Sequence, residues 1–294
     1  MAGTPKAEIE VTGALVRDLI AEQHPRYAAL PVGCSGEGWD NYTFRLGNDL
    51  AVRLPRRAAG LELIRNEQRW LADVARRVAV SVPAPVATGL PGLGYPWPWS
   101  IVPWIEGTPV DLAPLGAGQG EMLATFLRAV HKPASAEAPE NPYRGVPLEA
   151  RRERVSACLD RLAQASDVVT PSVLSAWREA LAAPCAEDRV WLHGDLHAQN
   201  VLSRDGRLVG VIDWGDICAG DPATDLGSVW GLLSHRSARS AAIAHYAPDP
   251  ALLARARGWA IAFGATLFEN GGVDDPRHAA IGEMTLRRLA EDLS

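Results

Sequence analysis

Asp195, Asn200 and Asp213 carry the strongest chemical signal in the chain, because polar residues interrupt otherwise apolar, strand-like sequence in WLHGDLHAQNVLSRDGRLVGVIDWGD, positions 191–216. An amide oxygen and a carboxylate that converge can hold a hard divalent cation such as Mg²⁺, which shares its oxygen ligands with nucleotide phosphates. A further aspartate beside them can accept or orient a hydroxyl proton. The spacing satisfies a phosphoryl-transfer template: an aspartate, a metal-binding asparagine five residues on, and a second metal-binding aspartate at the end of the following hairpin. Asp195 takes the first place, and Asn200 and Asp213 take the metal positions.

The elements that must position these residues can be read around them. Val201–Ser203 and Leu208–Ile212 are strand-compatible, and Asp205-Gly206 between them is a two-residue hairpin turn signal. Centring the pairing on that turn sets Asn200 opposite Val211, and strand alternation then points Asp213 to the face of Asn200. Upstream, the segment from Ala59 to about Val78 is an amphipathic helix whose apolar stripe of Ile64, Leu71, Val74 and Val78 also contains Glu67. A carboxylate on a buried stripe needs a cationic partner, and Arg53 in the strand AVRLP is the candidate.

The rest of the chain follows the same division. A helix from Thr12 to about His24 precedes short strands at Leu30–Val32, Asn41–Leu46 and Leu50–Leu54, with further extended segments near Val86 and at Ser100–Val102. TGLPGLGYPWPW is a loop, and APENPYRGVP an irregular connection among later segments of helical pattern. After the stretch Gly116–Glu121 comes a helix ending near His131, then further ones over 148–163, 171–183, 225–247, 250–268 and 276–293. Strands first and helices later predict an α+β fold of two lobes. The expected division is a small antiparallel-sheet lobe with one main helix over 1–102, a hinge over 103–108, and a larger, mostly helical lobe over 109–294.

Composition limits the partners. With 294 residues, 47% of them hydrophobic, the chain can bury a substantial core, and its net charge of −6 argues against nucleic acid. Four scattered cysteines form no metal-ligand or disulfide pattern, and there is no signal-like or membrane-spanning apolar run, so a cytoplasmic protein without membrane attachment is expected. Nothing in the sequence sets an oligomeric state. Lysine occurs only at positions 6 and 132, so lysine chemistry is nearly excluded.

HGDLHAQN followed by GVIDWGDICAGDPATDLG resembles the signature of the aminoglycoside phosphotransferase family, related to choline and protein kinases; the strong match covers 191–228 and weaker ones extend over most of the chain. The resemblance implies the bilobal protein-kinase-like fold, Mg²⁺, and ATP or GTP as phosphoryl donor. It implies that Asp225 braces the catalytic loop, although a helix-starting aspartate there also reads as a third metal ligand, and that His193 likewise orients the loop. His197, inside the loop, touches phosphate or packs, whereas His131 at a helix end reads as a packed or capping residue.

At position 53 the family has a lysine that holds nucleotide phosphates against the helix glutamate, and this chain departs from it with arginine. Arg53 and Glu67 are therefore expected either at the nucleotide or as a structural pair. GCSGEGWDN lies where the family has its phosphate-covering loop, with Ser35 and Gly36 as weaker candidate contacts. If WSIVPWIEG is the hinge, the Pro103 carbonyl and Ile105 amide offer an adenine edge its acceptor and donor. Trp97, Trp99 and Trp104 are expected to pack around it, with one able to flank the nucleotide.

The acceptor is expected against the late helices, where Asp216, Asp221, Glu269, Asp274 and Asp275 are acidic and Trp230, Trp259, Phe263 and Phe268 apolar. Of these, Asp216, Glu269 and Trp230 are the named candidates. Carboxylates suit a polycationic aminoglycoside and an apolar pocket suits a macrolide. The expected activity is phosphorylation of a hydroxyl on such an antibiotic. The alternatives are a metabolic kinase for a sugar, amino alcohol or nucleoside, and a non-catalytic nucleotide-binding protein. A protein kinase is disfavoured, because no APE element follows Asp213.

Overall fold

The computed structural model describes residues 6–186 and 188–294, apart from the side chains of Cys34, Ser35, Glu37 and Asp274. The chain divides into two compact units: one runs through Glu106 and includes Val211–Gly215, and the other comprises Gly107–Gly210 and Asp216–Ser294. The short return of 211–215 to the first unit is absent from the sequence expectation, which placed everything after 108 in the second.

The first unit opens with helix α1 (Gly13–Gln23), whose N-cap Thr12 accepts the Leu15 amide. An antiparallel sheet follows, built from β1 (Val32–Glu37), β2 (Asn41–Leu46), β3 (Leu50–Pro55), β4 (Ala87–Gly89) and β5 (Trp99–Pro103) in the order β1-β2-β3-β5-β4. Helix α2 (Gly60–Ala75) buries Ile64, Glu67, Leu71 and Val74 on one face, as its periodicity predicts. Leu19 and Ile20 of α1 pack with Phe44, Leu46, Val52, Leu54, Trp99 and Ile101 of the sheet into one apolar core.

Strand β1 corrects the sequence expectation. The first half of the segment read as a glycine-rich loop, including Ser35 and Gly36, is a strand, with Ser35 opposite Phe44 and Gly36 opposite Thr43, and only residues 38–40 form the turn to β2. Its backbone is recruited by the β-branched and aromatic partners on β2, a tertiary influence that local glycine content does not reveal. A register irregularity between Val32 and Ser35 absorbs the mismatch.

In the second unit, β6 (Thr108–Pro109), β8 (Val201–Arg204) and β9 (Arg207–Val211) form one small sheet, and β7 (Val190–Leu192) pairs with β10 (Cys218–Gly220). The β8–β9 turn has Asp205 at φ 52° and Gly206 at φ 72°, the left-handed pair that an Asp-Gly hairpin turn requires.

The helices of this unit are α3 (Gly120–Val130), α4 (Arg152–Ala165), α5 (Pro171–Ala182), α6 (Ala223–Leu226), α7 (Ser228–Leu232), α8 (Arg236–Tyr246), α9 (Pro250–Asp274) and α10 (Pro276–Leu293). The single helix expected over 225–247 is thus three pieces. Gly227 makes the first break: a Cβ there would lie 2.9 Å from the Ala256 carbonyl oxygen, so this turn packs directly against the backbone of α9. Helix α9 is the organising element, packing against α4, α5, α6, α7 and α10.

Candidate active site

The loop between β7 and β8, residues 193–200, holds Asp195 and Asn200 and is built from within the second unit. His193 is fully buried, and its amide donates to Asp225 Oδ2 at 2.7 Å. The next amide, Gly194, donates to Asp225 Oδ1 at 2.9 Å, so one carboxylate satisfies two consecutive loop donors. Gly194 must be glycine here: φ is 87°, and a Cβ would sit 2.5 Å from the Asp216 carbonyl oxygen.

Asp225 is itself buried, and His131 Nε2 lies 3.4 Å from its Oδ2 while His131 Nδ1 bonds the Tyr246 hydroxyl at 2.8 Å. Burial opposes ionisation of Asp225, yet the contact with His131 and the Gly194 amide hold its carboxyl below the usual range. His131 thus sits behind the loop brace, a position that its reading as a packed helix-end residue only partly anticipates.

Within the loop, the Asp195 amide donates to His193 Nδ1 at 3.2 Å. Asn200 Nδ2 donates to the Asp195 carbonyl at 2.9 Å. The same amide nitrogen lies 3.2 Å from His197 Nε2, so both of its contacts stay inside the loop. His197 Nδ1 accepts the Gln199 amide at 3.3 Å, and its Nε2 lies 3.4 Å from Asp195 Oδ2. The His197 ring also packs edge-on to His278, with centroids 5.6 Å apart. Asn200 precedes β8, so this hydrogen bond, not strand alternation, sets its direction.

A residue absent from the sequence reading completes the loop. Arg144, from the irregular segment before α4, donates from Nη2 to Asp195 Oδ1 at 2.8 Å, and its guanidinium lies 4.8 Å from the centre of the Phe263 ring. Burial alone would raise the Asp195 pKa, but Arg144 and His197 outweigh it and hold the carboxyl far below its usual range. Asn141 organises the same segment: its Oδ1 accepts the amides of Tyr143 and Arg144, and its Nδ2 donates to Asp216 Oδ1 at 2.6 Å. The Asn-Pro pair at 141–142 was a legible turn signal, but nothing local indicated which loop it would touch.

In the first unit, Arg53 on β3 bridges two carboxylates. Its Nη1 donates to Glu67 Oε1 at 2.7 Å and its Nη2 to Asp213 Oδ1 at 3.0 Å. Glu67 also accepts the Trp214 amide at 3.1 Å. Burial disfavours the Arg53 charge, but Glu67 and Asp213 more than compensate and keep the guanidinium protonated. Asp213 stands at φ 61°, a left-handed conformation uncommon for a non-glycine residue, and its side chain is half exposed. Strand β9 ends at Val211, so strand alternation does not aim Asp213. Its contact with Arg53 does.

The remaining candidates fall out differently. Trp230 is 2% exposed and its Nε1 donates to Asp292 Oδ2 at 3.0 Å, which makes it a core residue of the helical unit, not an acceptor contact. The Glu269 carboxylate is taken by Arg161 through two bonds of 2.6 and 3.0 Å. Trp99 is fully buried and donates to the Leu90 carbonyl, whereas Trp104 is exposed beneath the Arg45 guanidinium. Pro103 ends β5 opposite Leu50, and Ile105 lies just before the boundary of the first unit at Glu106. The Ser35 side chain lies outside the described residues, and Gly36 is exposed with open space at its Cα.

The fold is protein-kinase-like. Aminoglycoside 2′-phosphotransferase-IIIa in its GDP complex superposes with a TM-score of 0.63 at 17% identity, covering 96% of this chain and 100% of that one. A macrolide 2′-phosphotransferase from Brachybacterium faecium gives 0.57 at 23% identity, over 92% and 97% of the two chains. The chain belongs to the phosphotransferase enzyme family APH, whose model matches residues 35–260. An aminoglycoside 3′-phosphotransferase of Escherichia coli is 30% identical over 122 residues, 40% of this chain; the chain spans less than half of that relative, 44% of its length.

Proposed function

We propose that this protein transfers the terminal phosphoryl group of ATP or GTP to a hydroxyl of a small molecule, an antibiotic of the aminoglycoside or macrolide kind. The observation that carries the proposal is the Asp195 loop, with its backbone locked onto Asp225, its carboxylate paired with Arg144, and Asn200 held to it by an amide bond. Phosphoryl transfer through a loose transition state asks little proton abstraction of the enzyme early in the step. A carboxylate of low basicity suits that demand: Asp195 accepts the acceptor hydroxyl's hydrogen bond and aligns its oxygen with the phosphorus.

Asn200 and Asp213 have the hard oxygen donors that Mg²⁺ takes. Asp213 keeps Oδ2 beyond the oxygen given to Arg53, and among the described residues there is no cluster of three or more acidic, histidine or cysteine side chains that could cage a metal alone. That donor set fits an ion completed by phosphate oxygens and water, which would neutralise charge on the transferring group. In this reading Arg53 takes the place of the family's lysine and meets phosphate with N–H donors beyond those given to Glu67 and Asp213. In this reading residues 1–102 bind nucleotide, 103–108 form the hinge with Pro103 and Ile105 at the base, and 109–294 carry the catalytic loop and acceptor.

The test is a mass-shift screen of the purified protein with ATP or GTP, Mg²⁺ and a panel of aminoglycosides, macrolides, sugars and amino alcohols. A gain of one phosphate on an antibiotic, abolished by Asp195→Asn, is expected. Phosphorylation confined to a metabolic alcohol would replace the antibiotic reading, and nucleotide binding without transfer to any acceptor would overturn the enzymatic one.

A further inference from the structure

We infer that Arg144 determines acceptor specificity, selecting neutral or singly charged alcohols over polycations; the inference rests on the phosphotransferase reading and names the substrate class of the same site. Counted along the sequence, the acidic residues of the late helices suggest a pocket for a polyamine. Their tertiary partners say otherwise. Asp221 is buried against Arg255 at 2.6 Å and Glu269 is held by Arg161. Asp216 is committed through Oδ1 to Asn141. A carboxylate already facing a guanidinium has little attraction left for an incoming ammonium.

At the reacting centre the effect is stronger. Arg144 is 2.8 Å from Asp195, and its side chain is about one-quarter exposed, so a cationic acceptor approaching the catalytic carboxylate meets a fixed positive charge beside it. The position is preset, because Asn141 caps the amides of Tyr143 and Arg144 and is itself tied to Asp216. With Phe263 lying under the guanidinium, the same group offers a flat, partly apolar surface of the kind that suits a ring of low charge. Arg144 thus acts on the acceptor by charge and shape and leaves the proton-accepting oxygen chemistry to Asp195.

The experiment compares erythromycin, with one basic amine, and kanamycin, with several, as acceptors for the full chain with GTP or ATP and Mg²⁺. The wild type should favour erythromycin in kcat/KM. Arg144→Gln should shift the kanamycin-to-erythromycin ratio at least tenfold toward kanamycin, mainly through KM, and Arg144→Lys should keep the wild-type ratio. A wild type that prefers kanamycin, which needs no variant to observe, or a ratio unchanged within twofold in the glutamine variant, would overturn the inference. Kanamycin binding measured by calorimetry separates the two layers of the proposal. If neither compound is phosphorylated by any form, the functional reading fails. Tighter kanamycin binding by at least tenfold in Arg144→Gln still supports the charge assignment, and equal binding refutes it.

Discussion

The carboxylate of Asp225 accepts the backbone amide of His193 at 2.7 Å across 32 positions of sequence, and through this bond a helix-starting aspartate sets the path of the Asp195 loop. The neighbouring bond from Gly194 makes the arrangement bidentate. Asp225→Ala would strand two buried amides, each costing about 1–3 kcal/mol. Chemical denaturation should show a loss of roughly 2–6 kcal/mol, with phosphoryl transfer falling alongside stability. An unaltered denaturation midpoint would remove the bracing role.

The same residue gives a pH dependence with a definite sign. Although burial opposes it, the contact with His131 and the loop amide depress the folded-state pKa of Asp225. A depressed carboxylate contributes stability above its unfolded pKa of about 4 and loses it as pH falls through the folded value. The wild type should therefore lose more stability than Asp225→Asn as pH falls below about 4. Parallel stability curves for the two proteins over that window would contradict the assignment.

Arg53 neutralises Glu67, which is 2% exposed, so Arg53→Ala should cost about 3–5 kcal/mol by leaving a buried carboxylate unpaired. Arg53→Lys should recover only part of that loss. A single ammonium cannot reproduce the planar fork that reaches Glu67 and Asp213 together. Thermal melts and fluorescent-nucleotide titrations of both variants check the point, with nucleotide affinity expected to fall at least about tenfold in the alanine form.

Asp195 and Asp213 should separate cleanly in assay. Asp195→Asn is expected to bind Mg²⁺-nucleotide within about threefold of the wild type while turnover falls by about 10²-fold or more. Asp213→Ala should lose the metal-dependent component of nucleotide affinity. Titration of each variant with nucleotide, with and without Mg²⁺, reads the difference, and equal losses in both would contradict the division of roles.

Trp230 should have no effect on acceptor KM. Its indole nitrogen is occupied by Asp292, so Trp230→Phe is expected to lower stability by about 1 kcal/mol through that lost hydrogen bond. A changed acceptor KM at unchanged stability would return this residue to the acceptor site.

Sequence by itself determined the parts governed by local chemistry. The Asp205-Gly206 turn, the apolar stripe of α2 with Glu67 on it, the Thr12 cap, and the candidate trio Asp195, Asn200 and Asp213 follow from residue type and short-range spacing. Arg53 as the partner of Glu67 was equally legible, because a buried carboxylate demands a cation and Arg53 lies on the strand that precedes the helix. The strand at Val32–Glu37 was not, since glycine-rich sequence becomes a strand only where a neighbouring strand supplies the ladder.

Tertiary structure alone decided the direction and charge of the site. Asp213 points where Arg53 draws it, from a left-handed backbone that no strand periodicity describes. Arg144 reaches Asp195 from 51 positions away, and arginines on other helices answer Asp221 and Glu269. Charges add along a sequence regardless of position, but their fields act through distance, and only the folded chain sets which opposite charges come within three ångströms of one another.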